Sequence, residues 1–168
     1  GSVAVQIAAK ASQLATGGTV TQLKNGLDAL SAGKIDQARL IRNNLPANSL
    51  DRAILMWAIA TSGAKAVASG EIAEAGYALA GWPGMTRLRA ASEEAMYREN
   101  PGPRTVLTAF GSSQPQTTEG TILLARAHLA TGKTAQARAT LANLWRTKKL
   151  DAKDEQAIIR EFGKVIPT

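Results

Sequence analysis

The sequence contains no cysteine, few aromatic residues and no long apolar run. Without thiols it has neither a disulfide framework nor a thiolate metal site, although this absence fits cytoplasm and periplasm equally. Aromatic residues make up only 4% of the 168 residues, and β-branched residues do not alternate with polar ones, which disfavours a sheet. Because no run of about 18 apolar residues is present, no membrane span is predicted.

Alanine is abundant, and 45% of the residues are apolar, enough for a core in one domain or a short repeat array. The clearest unit is Thr117–Trp145, where two helical segments meet at Gly132. Small residues such as Ala125 and Ala137 stand where two helix backbones must approach, and Leu141 fills the groove beside them. This pattern indicates a helical hairpin similar to a tetratricopeptide unit.

The same order of glycine, alanine and leucine recurs at Gly70, Ala75 and Leu79, and in part at Gly33 and Ala38. We interpret the glycines at positions 33, 70, 102 and 132 as helix-ending turns, separated by 37, 32 and 30 residues, near the roughly 34 residues of a two-helix repeat. A lone hairpin cannot bury both faces, so neighbours must stack on it. The sequence predicts an all-α fold of tetratricopeptide-like hairpins stacked into a curved superhelix, an α-solenoid.

We expect residues 1–168 to form a single helical domain, a fragment of a larger chain, with Gly1-Ser2 typical of the remnant of a cleaved expression tag. Ser49 and Asp151 are the expected N-caps of two helices, and Ile158, Ile159 and Phe162 are expected to be buried in the last one. The other predicted helical segments are Val3–Thr16, Val20–Ala32, Ile35–Leu45, Gly70–Leu79, Met85–Arg98 and a short one with Val106 and Phe110.

The net charge is +7 and the isoelectric point about 10.1, which raises nucleic acid as a partner. The basic residues are spread along the chain, however, with no run longer than Lys148-Lys149 and no interleaved aromatics. A solvated helical surface explains them, and no nucleic-acid partner is predicted. An anionic polymer such as a cell-wall glycan with peptide carboxylates would suit the same weak positive field.

Three motifs suggest chemistry but have simpler explanations. Ala130–Thr134 looks like the end of a phosphate-binding loop, yet the required first glycine falls at Ala127 and a helix precedes it, so Gly132 is interpreted as a turn. His128 is the only histidine, and packing explains it better than a metal or nucleophile role. Glu93 and Glu94 point about 100° apart on a helix and cannot flank one glycosidic bond, so a solvated face is expected. Neither a cofactor nor a metal is predicted.

The tryptophans and arginines leave two interpretations open. Trp57, Trp82 and Trp145 could stack on sugar rings, but each lies beside an apolar stripe or at a helix end, which favours core filling. The arginines could line a concave face toward an anionic polymer, while surface solubility explains them as well. The candidate glycan-facing surface consists of Trp82, Arg87, Arg89, Arg126, Arg138 and Arg146.

Several segments stand in a characteristic order along the second half of the chain. They are GWPGMTRLR at 81–89, VLTAF at 106–110, Pro115, Thr117 and Gly120, LARAHLATG at 124–132, LANLWR at 141–146, and Leu150, Glu155 and Phe162. This order resembles the N-terminal superhelical domain of the soluble lytic murein transglycosylases. The resemblance covers Trp82 to Phe162, and the first 80 residues follow it only in their helix pattern.

The resemblance implies a periplasmic enzyme of peptidoglycan turnover that cleaves between N-acetylmuramic acid and N-acetylglucosamine without water, leaving a 1,6-anhydromuramic end. One glutamate serves as acid and then as base, which needs a raised carboxyl pKa. That glutamate belongs to a lysozyme-like C-terminal domain whose Glu-Ser and Gly-Leu-Met-Gln segments are absent here. No catalytic residue is therefore assigned, and whether this segment takes part in an enzyme stays open.

Two hypotheses follow. In the first, the chain is the non-catalytic helical scaffold of such a periplasmic transglycosylase, and its partners are glycan strands, the C-terminal domain and other cell-wall proteins. The missing export signal does not count against the periplasm, because it would have been removed with the natural N-terminus. In the second, the chain is a tetratricopeptide-like adaptor that binds a peptide or protein and has no catalytic domain.

Overall fold

A computed structural model describes residues 17–147 and 150–166, and the helix predicted for Val3–Thr16 lies outside these ranges. Within them every regular element is a helix, which confirms the all-α class. No described helix is long and apolar enough to cross a membrane, as the sequence predicts. The helices are α1 Gly17–Ser31, α2 Ile35–Asn44, α3 Leu50–Ala60, α4 Ser69–Ala78, α5 Met85–Glu99, α6 Pro103–Phe110, α7 Thr118–Ala130, α8 Thr134–Thr147 and α9 Ala152–Phe162.

Three helices begin at a side-chain cap. The hydroxyl of Ser49 accepts a hydrogen bond from the N–H of Arg52 at 3.2 Å, and the carboxylate of Asp151 accepts one from Asp154 at 2.7 Å. Thr117 caps α7 in the same way. Each cap satisfies a first-turn N–H that has no partner inside its helix, and both caps predicted from the sequence are confirmed.

Two helical hairpins, α1–α2 and α7–α8, are closed by the same backbone turn. Gly33 and Gly132 have φ of +78° and +76°, a left-handed conformation that only glycine adopts without strain. The N–H of Gly132 donates to Leu129 O at 3.1 Å and that of Lys133 to His128 O at 2.7 Å, with equivalent bonds at Gly33. This is a Schellman motif, so the turn amides are used up in ending the helix and form no phosphate cradle.

The glycines at positions 70 and 102 do not form such turns, contrary to the prediction. Gly70 lies in the first turn of α4, and Gly102 is the N-cap of α6 with φ of −61°. The near-even spacing of the four glycines therefore joins unlike positions. The turns predicted from this spacing at Gly70 and Gly102 were wrong, because glycine also occurs inside helices and at N-caps, where it forms no left-handed turn.

The chain divides into two compact units between Ala95 and Met96. In the first, α1 to α4 and the start of α5 enclose a core that includes Leu55, Ile59 and Leu88, with Trp57 only 6% exposed. Gly26 lets α1 approach α3 closely, since a Cβ there would lie 2.5 Å from Cδ2 of Leu55.

The second unit has two clusters. In one, Val106 and Phe110 of α6 pack with Leu123 of α7. In the other, α7, α8 and α9 meet at residues that are almost fully buried, namely Ala125, Ala137, Leu141, Leu144, Ile158 and Phe162. The small residues expected at the α7–α8 approach, Ala125 and Ala137, are both 0% exposed. Small side chains thus permit the close helix contact that the sequence indicated.

Three residues differ from their predicted burial. Ile159 is 41% exposed and Trp145 is 40% exposed. Each follows a buried residue, Ile158 or Leu144, and consecutive residues of a helix point about 100° apart, so the second one points away from the core. Glu93 is only 5% exposed, so it does not lie on a solvated face. Helix α5 buries Ala91 and Ala95 on either side of it, and its buried surface is wider than a single stripe.

Candidate functional site

The six residues of the candidate glycan-facing surface are divided between the two units, and their environments differ. In the first unit, Trp82 is half-buried against the core, whereas Arg87 and Arg89 are exposed on α5. In the second, Arg126 lies on α7, and Arg138 and Arg146 lie on α8. Each arginine of the second unit has a different environment.

Arg126 is occupied by a structural ion pair. Its Nε donates to Oε1 of Glu161 at 2.6 Å and its Nη2 to Oε2 at 3.1 Å, and its guanidinium lies 5.9 Å from the ring centre of Tyr97. A further bond from Nη1 reaches Oδ1 of Asn100 at 3.3 Å. Hydrogen bonding to Glu161 raises the pKa of Arg126 above its ordinary value. This arginine joins α7 to α9, and its charge is already compensated.

Arg138 and Arg146 differ although both extend from α8. The Nε of Arg138 donates to the carbonyl oxygen of Val165 at 3.3 Å, which links α8 to the segment after α9. Arg146 makes only a weak contact among the described residues, from its Nε to Ala142 O at 3.4 Å. Its charge is not paired with any carboxylate of the described chain.

Arg146 lines a cavity of about 580 Å³, which we call the α7–α8 cavity. Its walls come from the loop after α6 and from the facing sides of α7 and α8. The lining residues are Gly111, Ser112, Ser113, Gln114, Leu124, His128, Gln136, Ala139, Thr140, Asn143 and Arg146. Most of them are hydroxyl or amide side chains, and none of these described lining residues is acidic. The lining therefore combines hydrogen-bonding side chains and one cation with apolar surface from Leu124 and Ala139.

His128 contributes a neutral ring to this cavity. Burial, and secondarily the positive charge of Lys133, lower the pKa of His128 below its ordinary 6.5. Because even the ordinary value lies below 7, the neutral form of the imidazole predominates at pH 7. Its Nδ1 is buried and has no hydrogen-bond partner among the described residues. The buried Nδ1 edge of the ring is packed inside the protein, as the sequence predicts. The residue also lines the cavity, which the sequence did not indicate.

The described residues contain no group of three or more His, Asp or Glu side chains close enough to hold a metal ion. Glu93 is buried, and Glu94 follows it on the same helix, half-buried and turned away. The two carboxylates cannot flank a single sugar linkage.

A second concave surface, the α2–α4 groove, lies in the first unit. It consists of two neighbouring cavities of about 390 and 370 Å³ that share Arg52, Met56 and Ala78 in their linings. Glu71 lines one of them and is held by Nε of Arg39 at 3.0 Å, with Arg42 3.7 Å away. This pairing raises the pKa of Arg39. The groove thus carries both charge signs, and Trp82 lies at its other end.

The sequence singled out Arg146 as a candidate binding residue, but not the polar residues that line the α7–α8 cavity with it. One signal was present, since Gln136, Thr140 and Asn143 recur at spacings of four and three residues and mark a polar face of α8. The loop that forms the opposite wall, 111–114, gave no signal because its position depends on how α6 packs on α7.

Comparison of the chain with protein-family models, with curated proteins and with solved structures finds no match. What the protein does is therefore inferred from its own residues.

Proposed function

We propose that this chain is the non-catalytic helical scaffold of a periplasmic soluble lytic transglycosylase, built as a tetratricopeptide-like α-solenoid, and that it holds peptidoglycan glycan strands. The order of segments from Trp82 to Phe162 supports this proposal most strongly. Helix α5 begins directly after the Trp-Pro-Gly turn, and the LANLWR segment ends the α7–α8 hairpin. The two hairpins with identical Schellman turns are the units from which such a solenoid would be built.

The α7–α8 cavity supports glycan binding on independent chemical grounds. Sugar rings present hydroxyl and amide groups, which need hydrogen-bonding side chains, and muropeptides carry carboxylates, which need a cation. The cavity supplies both types of group without an acidic residue among its described lining. A volume of about 580 Å³ also falls in the range of roughly 300–1,000 Å³ found for small-ligand sites.

The chemistry of cleavage would lie in a separate lysozyme-like domain, because the segments that carry the catalytic glutamate are not in this sequence. The contribution of the scaffold would be to bind and position the strand. Its partners would then be the glycan, the catalytic domain and other cell-wall proteins.

Co-sedimentation with purified murein sacculi tests the proposal. The chain should pellet with sacculi at low salt and less at moderate salt, since screening weakens attraction between the positive surface and anionic murein. Chitin is the matched control, because it is a polymer of N-acetylglucosamine without carboxylates, and it should retain less protein. Absence of pelleting with sacculi at both salt concentrations would refute glycan binding by this segment.

The α2–α4 groove favours a second candidate, an adaptor that binds a peptide or protein and has no catalytic domain. Its mixed charges and the apolar surfaces of Met56 and Trp82 suit an extended peptide. The parent gene separates the two candidates. A downstream lysozyme-like domain would favour the scaffold, and an open reading frame that ends soon after Thr168 would favour the adaptor.

A further inference from the structure

The guanidinium of Arg146 is available to a ligand at the edge of the α7–α8 cavity. Its two Nη groups donate to no described residue, and its Nε makes only the 3.4 Å contact to its own helix. Arg126, by comparison, uses Nε and Nη2 on a carboxylate. An arginine guanidinium can pair with a carboxylate through two parallel hydrogen bonds. The guanidinium of Arg146 makes no such pair among the described residues, so it can form one with a ligand.

The remainder of the lining carries no charged side chain, and six of its side chains carry a hydroxyl or amide group. Gln136 and Thr140 of α8 line the cavity together with Ser112 and Ser113 of the loop after α6. The hydroxyl of Thr140 donates to the carbonyl oxygen of Gln136 at 2.9 Å, so toward a ligand it serves as an acceptor. The uncharged ring of His128 lies in the same lining. Because no acidic side chain among the described residues lines the cavity, an anionic ligand meets no like charge there, while the amides and hydroxyls can bind its uncharged polar groups.

We infer that the α7–α8 cavity binds a carboxylate-bearing cell-wall sugar, with Arg146 pairing with the carboxylate and Gln136 and Thr140 binding hydroxyl or acetamido groups. This inference rests on the proposed function and adds which chemical group is recognised and where. In murein the carboxylate has two sources, the lactyl ether of N-acetylmuramic acid and the peptide stem attached to it. Both present the same planar acceptor to the guanidinium.

NMR titration of the full chain with three compounds tests the inference. N-acetylglucosamine carries no carboxylate, and N-acetylmuramic acid carries the lactyl one. N-acetylmuramoyl-L-alanyl-D-isoglutamine has its lactyl group in an amide bond and a free carboxylate on the peptide. At least one of the two acids should bind about tenfold more tightly than N-acetylglucosamine, as expected for one added charge-assisted pair.

Three variants locate the binding. Arg146→Gln should remove the preference for the acid, and Ala139→Leu should block all three compounds, because Ala139 lines the cavity and leucine keeps the helix propensity high. Arg138→Gln is the matched control, since it removes the same charge from the same helix outside the cavity. Circular dichroism and a thermal melt of each variant establish that it is folded.

A preference for N-acetylmuramic acid that depends on Arg146 would support the inference and show that the lactyl carboxylate is recognised. A preference for the dipeptide compound that depends on Arg146 would show that the carboxylate of the peptide stem is recognised. Equal affinity for all three compounds, no binding of any, or equal losses in Arg146→Gln and Arg138→Gln would overturn it. Pelleting with sacculi is a separate measurement. If sacculi bind and the acids show no preference, only the cavity assignment fails; if the acids bind through Arg146 but sacculi do not pellet, only the scaffold function fails.

Discussion

The Cβ atom that Gly26 lacks would lie 2.5 Å from Cδ2 of Leu55, which is itself 0% exposed. Two further methyls, Cδ1 of Leu55 and Cγ2 of Ile41, would be 3.1 and 3.3 Å from it. Gly26 therefore lies where α1 packs directly against the side chain of Leu55 in α3. Its role is to provide space and not flexibility.

Gly26→Ala should destabilise the protein despite the better helix propensity of alanine. The propensity gain is about 1 kcal/mol, whereas overpacking a full core costs typically 1–3 kcal/mol, so the free energy of unfolding should fall by about 1 kcal/mol. Urea unfolding followed by circular dichroism measures this. In the background of Leu55→Ala, where both Cδ methyls of Leu55 are gone and only Cγ2 of Ile41 at 3.3 Å remains, the same change should raise stability by up to about 1 kcal/mol. Equal effects in both backgrounds would contradict the contact.

Gly132 and Gly70 should respond oppositely to alanine. With φ of +76° and nothing within 4 Å, Gly132→Ala meets no clash but forces alanine into a left-handed conformation, at a cost of about 1–2 kcal/mol. Gly70 lies inside α4 with equally open space, so Gly70→Ala should be neutral or stabilising by up to about 1 kcal/mol. Thermal melts of both variants check this, and a similar loss at the two sites would show that Gly70 is also a turn.

The Arg126–Glu161 pair should couple α7 to α9 measurably. Because its side chains are 38% and 37% exposed, water screens the pair, and a double-mutant cycle with Arg126→Gln and Glu161→Gln should give a coupling of about 0.5–1 kcal/mol at low salt. The value should fall at 1 M salt. Lys24–Asp28, at 75% and 66% exposed with a single contact, is the control and should show less. A coupling no larger than that of the control would contradict a structural role.

His128 should make the protein less stable in mild acid. Its pKa is lowered in the folded state, so the unfolded chain binds more protons in the window from the folded pKa up to about 6.5, and stability is lost as pH falls through that window. The charged group that adds to the effect of burial is Lys133, a cation, which acts in the same direction. NMR titration of the ring should give a pKa below 6.5.

Unfolding in urea at several pH values completes the test. His128→Gln should remove this part of the pH dependence, and Lys133→Gln should reduce the depression of the His128 pKa without abolishing it, because burial is the larger cause. A ring pKa at or above the ordinary value would contradict the burial that lowers it.

Local signals in the sequence were sufficient for the helices and several of their ends. The Ser49 and Asp151 caps and the Gly33 and Gly132 turns each depend on one residue and its immediate neighbours, and all four are confirmed. The burial of residues beside an apolar helix face, such as Ile159 and Trp145, was less predictable. Whether a residue beside Ile158 or Leu144 is covered depends on the width of the surface packed against the helix, which the sequence does not state.

The candidate site shows the same limit at longer range. Arg126 and Arg146 look alike in the sequence, but Glu161, 35 positions from Arg126, compensates only the first. Pairing between residues so far apart is decided by how α7 and α9 pack. The sequence therefore names Arg146 together with Arg126 and Arg138, but only the structure shows that Arg146 lines the cavity while the other two bind other parts of the protein.

The turn at Gly132 also suggests a position for a reporter group. Its amides are committed to the end of α7, and the exposed Lys133 follows it, close enough to His128 for its charge to affect the ring. Since the chain has no cysteine, Lys133→Cys would introduce a unique thiol at this tip. A fluorophore attached there would report on ligands that enter beside His128 while leaving the helix-ending hydrogen bonds in place.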